Sequence, residues 1–345
     1  MKVLIVTNAA PFIWGGAEEL ALNLSKKLNL LKGVESEILR IPFQWEPKER
    51  LPAEIILNQN FSIANSDRVI ALKFPAYYVQ HECKTLWLLH QFRQAYDLLD
   101  AGQSYLNPNT DDHLIEAVTR ADNQCFNHSR EIYTNSPVTQ ERLKHYNQQE
   151  SEVLYPPLND EELFVPGEYG NYIFAGGRVT KGKRQHLLIE AMRFSGQNCK
   201  LVIAGPPSDE AYANRLQELV EKYDLGNRVI LKLAMHTRTD IANLVKNARA
   251  CTYIPFDEDS LGYVTMEAFA SGKAVVTTTD SGGLLEIVKD NETGFVCEPE
   301  AEALGNAFAR LFDTSELAPK LGKTSLDLWK SRKINWAHTL DKLLI

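Results

Sequence analysis

Short apolar runs alternate with longer polar or amphipathic stretches along the whole chain. The first run, residues 2–7, ends in a loop holding Pro11, Gly15 and Gly16, and from residue 17 to 28 apolar positions recur at helical spacing. That order predicts strand, glycine loop and helix. Further strand-like runs follow at 35–42, 68–72, 85–89 and 131–134, with helical patterns between several of them. Strands separated by stretches of that length favour a parallel sheet covered by helices on both faces.

Pro156 and Pro157, then Pro166 and Gly167, interrupt the pattern, and an interdomain linker is placed there. The second half opens as the first did. A run at 171–177 leads through a loop into a helix at 185–192, and strands are predicted at 200–204, 228–232, 250–254, 274–277 and 293–296. The expected architecture is α/β, with two doubly wound Rossmann-like domains facing across a cleft, one at 1–165 and one at 166–324. Ligands of such sheets lie at the carboxyl ends of the strands. Residues 317–345 are helical by pattern, with Trp329 and Trp336 among spaced apolar positions.

Composition narrows the function. A chain of 345 residues exceeds the size at which one core stops growing, in keeping with two domains. The net charge of −8 argues against a protein that wraps a nucleic-acid backbone. No apolar run reaches the roughly 18 residues of a membrane span, and residues 2–6 are too short for a signal-peptide core, so the cytoplasm is the expected compartment. Cys83, Cys125, Cys199, Cys251 and Cys297 are scattered, without a C-x-x-C pair, and read as buried thiols.

The densest candidate site runs from Pro255 to Val276. A strand closes on Pro255, Asp257, Glu258 and Asp259 crowd the next loop, a helix opens near Gly262, and a strand resumes after Gly272. Acids and free backbone N–H groups meet at one strand-to-helix junction, where the N–H groups suit a diphosphate and carboxylates suit sugar hydroxyls. Taken alone, the same acids also fit a solvated helix cap, with Glu267 a surface acid on the helix.

Here the chain resembles the family 4 retaining glycosyltransferases of the GT-B fold. Their signature is an acid, seven residues, then Glu, with Phe-Gly or a similar pair after the first acid. Asp259, Leu261 with Gly262, and Glu267 match it, with Asp in place of the usual Glu. The resemblance implies that Asp259 contacts the transferred sugar and Glu267 the nucleotide ribose. It also turns the N–H groups of Leu261, Gly262 and Tyr263 toward the sugar and phosphates. It further implies that Arg178 and Lys183, after Gly176 and Gly177, hold the diphosphate without a metal, while Lys181 and Arg184 read as surface charges. Gly282, Gly283 and Glu286 read as scaffold of the donor pocket. The resemblance also implies that 325–345 crosses back to the first domain, where it would bury the Trp329 and Trp336 rings. The nucleobase is expected near Ala204–Pro206 and the stretch ending at Met235, with uracil, guanine and adenine all open.

In the first domain, Gly15 and Gly16 open a helix whose N–H groups can approach an anion, although no G-x-G-x-x-G is present. They equally suit a plain tight turn. His90 is the best polar contact for sugar and acceptor by the same resemblance, His81 a lesser one, and a capping or core histidine the alternative. Tyr77, Tyr78 and Trp87 read either as core or as stacking surfaces for a sugar. Asp111, Asp112 and His113 read as a turn and helix cap rather than a metal site.

The implied activity is transfer of a sugar, with retention, from a UDP-, GDP- or ADP-sugar to the hydroxyl of a sugar, lipid-linked or small-molecule acceptor. No metal and no cofactor are expected, the nucleotide-sugar being a co-substrate; nucleic acid is not an expected partner, and peripheral membrane contact is compatible. A nucleotide-sugar epimerase and a non-catalytic sugar-nucleotide-binding subunit are the alternatives, the second motivated by Asp259.

Overall fold

The computed structural model describes residues 1–12 and 14–345. They divide into two compact units, Met1–Asn159 with Ile334–Ile345, and Asp160–Lys333. In the first unit the strands are β1 (Lys2–Ala9), β2 (Glu35–Pro42), β3 (Arg68–Ala71), β4 (Lys84–Leu88), β5 (Glu131–Thr134) and β6 (Glu152–Val153). They pair in parallel in the order β2-β1-β3-β4-β5-β6. In the second unit β7 (Tyr172–Gly176), β8 (Lys200–Ala204), β9 (Val229–Lys232), β10 (Ala250–Thr252), β11 (Val275–Thr278) and β12 (Gly294–Cys297) form a parallel sheet in the order β12-β11-β10-β7-β8-β9. The α/β, doubly wound reading therefore holds for both halves.

The strand period explains how each sheet is covered. Along β3 and β4, Val69, Ala71, Leu86 and Leu88 face one cluster, with Leu114, Val118 and Ala121 of the helix Asp112–Asn127. Ile70 and Trp87 face the opposite cluster, with Leu20, Leu24 and Leu28 of the helix Gly16–Leu28. Neighbouring residues of a strand point to opposite faces, so a sheet covered on both sides needs these continuous apolar runs.

The chain's last stretch departs from a single terminal helix. It breaks at Lys333, which adopts a left-handed conformation with φ 52°, between the helices Leu317–Arg332 and Trp336–Leu343. Trp329 is thus buried within the second unit, whereas the half-buried Trp336 packs on the first. Only the final helix crosses back. Leu340 and Leu343 enter the core, Arg68 donates to the Ile345 carbonyl at 2.5 Å, and Lys342 pairs with Glu152 at 2.7 Å.

Several polar groups of the first unit lie inside its core. Asp122 is fully buried and accepts hydrogen bonds from the hydroxyls of Tyr77, Tyr78 and Tyr96, each at 2.7 Å. Burial raises its pKa to about 6, with the three donors working in the opposite direction. Tyr77 and Tyr78 are therefore core residues, as is Trp87, whose indole N–H donates to the Leu154 carbonyl at 2.8 Å. The sugar-stacking alternative for these rings is corrected by that burial. Of the cysteines, Cys125, Cys199 and Cys251 are buried, while Cys83 and Cys297 are only half-buried.

Candidate functional site

The strand order of the second unit locates its crevice. From β7 the chain runs outward through β8 and β9, then returns to the other side of β7 as β10. Loops leaving the carboxyl ends of β7 and β10 diverge at this switch point, which is where doubly wound sheets bind ligands. The two loops are residues 177–184 and 253–262. The second ends at Gly262, the N-cap of the helix Tyr263–Ala270, with φ 72° and a position where a Cβ would stand 2.6 Å from the Tyr253 ring. Only glycine fits both the backbone and the ring.

Backbone bonds knit a third loop, after β11, to these two. Phe256 N–H donates to the Gly182 carbonyl at 3.0 Å, Asp257 N–H to Asp280 at 2.8 Å, and Gly283 N–H to Glu258 at 2.7 Å. Gly282, at φ 73°, lies so close that a Cβ would meet the Glu258 carbonyl oxygen at 2.4 Å.

Arg184 joins the same loops through its side chain, which corrects its reading as a surface charge. Its guanidinium donates to both Asp280 carboxylate oxygens at 2.7 and 2.8 Å, to the Ile254 carbonyl at 2.8 Å, to Pro255 at 2.9 Å and to Thr278 Oγ1 at 2.8 Å. Its side chain is only 14% exposed. A planar fork with five donors suits this convergence, and lysine could not replace it. Asp280 is held below the ordinary carboxylate range because the bonds from Arg184 and Thr278 outweigh the opposing effect of burial.

Around this scaffold stand the charged groups. Lys183 Nζ bonds the Tyr253 hydroxyl at 2.5 Å and forms an ion pair with Glu258, whose Oε2 also accepts from the Tyr253 hydroxyl at 2.9 Å. Burial works against the lysine's charge, but Tyr253 and Glu258 more than offset it, so its pKa lies above the ordinary lysine value. Arg178 is exposed and, among the described residues, its guanidinium has no hydrogen bond or ion pair. Asp259 and Leu261 are buried, and Tyr263 is half-buried in the first turn of its helix.

Glu267 is buried one turn further on and accepts from Arg238 at 2.6 Å. Burial raises its pKa while Arg238 acts to lower it. Arg238 opens the helix Arg238–Lys246 behind a Thr237–Asp240 capping box and lies over the Phe164 ring at 4.8 Å. Met235, three residues earlier and exposed, belongs to the loop that Arg238 ties to Glu267. Arg178, Lys183, Asp259, Leu261, Gly262, Tyr263 and Glu267 thus all belong to elements beginning at the β7 and β10 ends. Arg184, Tyr253, Glu258 and Arg238 complete the arrangement; the sequence marks Glu258 only as one of three loop acids and Arg184 as a surface charge, and gives no role to Tyr253 or Arg238.

In the first unit, Gly15 precedes the helix Gly16–Leu28, and its N–H is taken by Glu18 at 2.9 Å. Glu18 also pairs with Lys73 at 3.2 Å. His90 follows β4, half-buried, and its Nδ1 donates to the Gln91 carbonyl at 2.7 Å, which leaves Nε2 as the acceptor of the neutral ring. His81 is engaged locally, with Nδ1 accepting from the Cys83 N–H at 3.0 Å. Asp111 sits at the N-cap position of the helix Asp112–Asn127, but its carboxylate binds Lys48 at 2.6 Å and the Asn107 N–H at 2.8 Å. Among the described residues, no group of three or more His, Cys, Asp or Glu is placed to hold a metal ion. No helix among them is long and apolar enough to cross a membrane.

Comparison with known proteins bears on the fold and on the second unit. Residues 160–326 match the model of the family described as glycosyl transferases group 1. The chain is 23% identical to the D-inositol 3-phosphate glycosyltransferase of Corynebacterium glutamicum over 374 residues, covering 99% of this chain and 86% of that protein. Further curated relatives are matched over about half of their own length. Among solved structures, sucrose-phosphate synthase from Thermosynechococcus elongatus superposes with a TM-score of 0.77 at 18% identity, covering 99% of this chain and 97% of that one. HepE from Anabaena, solved in complex with UDP-glucose, gives 0.71 at 15% identity, covering 100% and 98%. The second unit accordingly matches the glycosyl transferases group 1 model over residues 160–326, and the chain has the fold of GT-B glycosyltransferases.

Proposed function

We propose that this glycosyltransferase moves a sugar, with retention of configuration, from a nucleotide-sugar to an acceptor hydroxyl, and that the donor occupies the switch-point crevice of the second unit. The observation that carries this reading is the convergence of Lys183, Asp259 and the Gly262 helix start on the diverging β7 and β10 loops. In this reading Arg178 and Lys183 neutralise the leaving diphosphate, aided by the N–H groups of Leu261, Gly262 and Tyr263, so no metal is assigned to that task. Asp259 contacts the transferred sugar and Glu267 the ribose. His90 keeps the polar contact with sugar or acceptor that the family resemblance assigns to it. The acceptor is a sugar, lipid-linked or small molecule. Two of the proteins compared above are named a glycosyltransferase and a synthase, and the epimerase and binding-subunit readings are not favoured.

A thermal-shift panel of UDP, GDP, ADP and their sugars identifies the donor, because a ligand of the folded state raises the unfolding temperature. With that donor, Lys183→Ala is expected to lower turnover on the order of 100-fold, from loss of charge stabilisation on the leaving group. Unchanged turnover would remove Lys183 from the mechanism.

A further inference from the structure

Lys183 is not waiting with an empty coordination sphere. Its ammonium is paired with the Glu258 carboxylate and bonded to the Tyr253 hydroxyl, the hydroxyl donates to the same carboxylate, and the Tyr253 ring lies 4.9 Å from the ammonium. The ion pair stands at the open side of the loops, with side chains 25% and 21% exposed, so an incoming anion can reach it. A diphosphate bound to Lys183 would stand beside a carboxylate of the same sign. Two anions a few ångströms apart in a partly desolvated site repel strongly, so one must withdraw.

The backbone decides which part moves. Glu258 N–H donates to the Ser281 carbonyl at 3.1 Å, and its own carbonyl accepts from Gly283 at 2.7 Å. With the main chain fixed on both sides, withdrawal of the carboxylate falls to the Glu258 side chain.

We propose that Glu258, steadied by the Tyr253 hydroxyl, is a stand-in anion that holds Lys183 aimed in the resting protein, and that the donor's diphosphate displaces the Glu258 carboxylate. Glu258 is thereby a positioning residue that sets donor affinity, trading tight binding for a preorganised cation. Anions too weakly charged to outbid the carboxylate are kept off Lys183. This inference rests on the proposed assignment of Lys183 to the diphosphate.

The test titrates UDP, GDP and ADP by calorimetry into the full chain and into Glu258→Gln, Tyr253→Phe and Lys183→Ala. The nucleotide that binds the unaltered chain is expected to bind Glu258→Gln about tenfold more tightly, because no like charge has to be expelled. The donor KM should fall with no rise in kcat. A purely structural role for Glu258 would weaken binding instead, and weaker or unchanged binding overturns the exchange. Should Glu258→Gln fail to fold, Tyr253→Phe keeps the ring and removes the hydroxyl that steadies the carboxylate. It is expected to tighten binding by roughly threefold, and unchanged or weaker binding there is equally contrary. Lys183→Ala separates the two levels. If it leaves nucleotide binding unaltered, or if none of the three nucleotides binds at all, the functional reading itself fails. If it weakens binding while Glu258→Gln does not tighten it, only the exchange fails.

Discussion

In the first unit the chain leaves β1, forms β2 on one side and crosses to β3 on the other; in the second it leaves β7, builds β8 and β9 on one side and crosses to β10. Both sheets therefore have a switch point beside their opening strand, and both follow that strand with a glycine-bearing turn. They differ in where the polar groups stand. In the first unit Asp122 is sunk among three tyrosine hydroxyls, Lys84 is buried against the Tyr77 and Val79 carbonyls, and Glu18 closes the Gly15 N–H. In the second unit Lys183 and Glu258 remain partly exposed beside the switch point, and Arg178 is open to solvent. A shared fold thus supplies two crevices, and the side chains on the loops decide which of them can take a diphosphate.

The contrast is broken most severely by Arg184→Leu. That change leaves the Asp280 carboxylate and the Ile254, Pro255 and Thr278 oxygens without their common donor, and a loss of about 4 kcal/mol is expected from partly buried groups left unpaired. Hydrogen exchange should show the loss in β10, β11 and the loop between Tyr253 and Gly262, while the strands of the first unit keep their protection. Equal loosening of both units would mean that Arg184 is not the local strut described here.

A somewhat smaller effect, confined to the first unit, comes from Asp122. Its pKa is raised to about 6 by burial, from an ordinary value of 3.8. Between those values the unfolded chain has released its proton and the folded unit still holds one. Stability therefore falls as pH rises through that window and is level above it, by about 3 kcal/mol in total. Four of the five tryptophans, Trp14, Trp45, Trp87 and Trp336, lie in the first unit, so fluorescence-monitored unfolding follows it selectively. Asp122→Asn should abolish the slope between pH 4 and 6. A slope that persists in the variant would assign the titration elsewhere.

The two units were also unequally legible in the sequence. Strands buried on both faces, such as β3 and β4, stand out as apolar runs, and the more exposed β2 and β5 also fall where the pattern put them, as does β8. The two-residue edge strand β6, with an exposed Glu152, carries no such run and was not visible. The break at Lys333 has neither Gly nor Pro to announce it. In the site, the acid spacing between Asp259 and Glu267 and the Arg178–Lys183 spacing were readable because family motifs are local in sequence. Arg184 and Arg238 were not, since their acceptors lie 70 to 96 and 29 residues away and only the folded loops bring them together. Asp122 gave no signal for the same reason, its tyrosine partners lying 26 to 45 residues distant.

The mildest change bears on the one place where the second unit departs from the family pattern. Asp259 is buried, and its neighbourhood is fixed: a Cβ on Gly283 would already stand 3.0 Å from the Asp259 carbonyl oxygen, and Gly283 N–H is bonded to Glu258. The backbone therefore cannot retreat to absorb a longer side chain, and a carboxylate moved outward by one methylene changes its distance to the proposed sugar position directly. If the shorter acid is matched to the donor this chain uses, Asp259→Glu should lower transfer by about tenfold, since small misplacements of a positioning group carry costs of that order. Nucleotide affinity, measured with UDP, GDP or ADP, should be unaffected, because Lys183 and Glu267 are untouched. Faster transfer with Glu at this position would show instead that Asp259 is an imperfect substitute, and that the second unit's crevice is less well fitted to its sugar than its charges suggest.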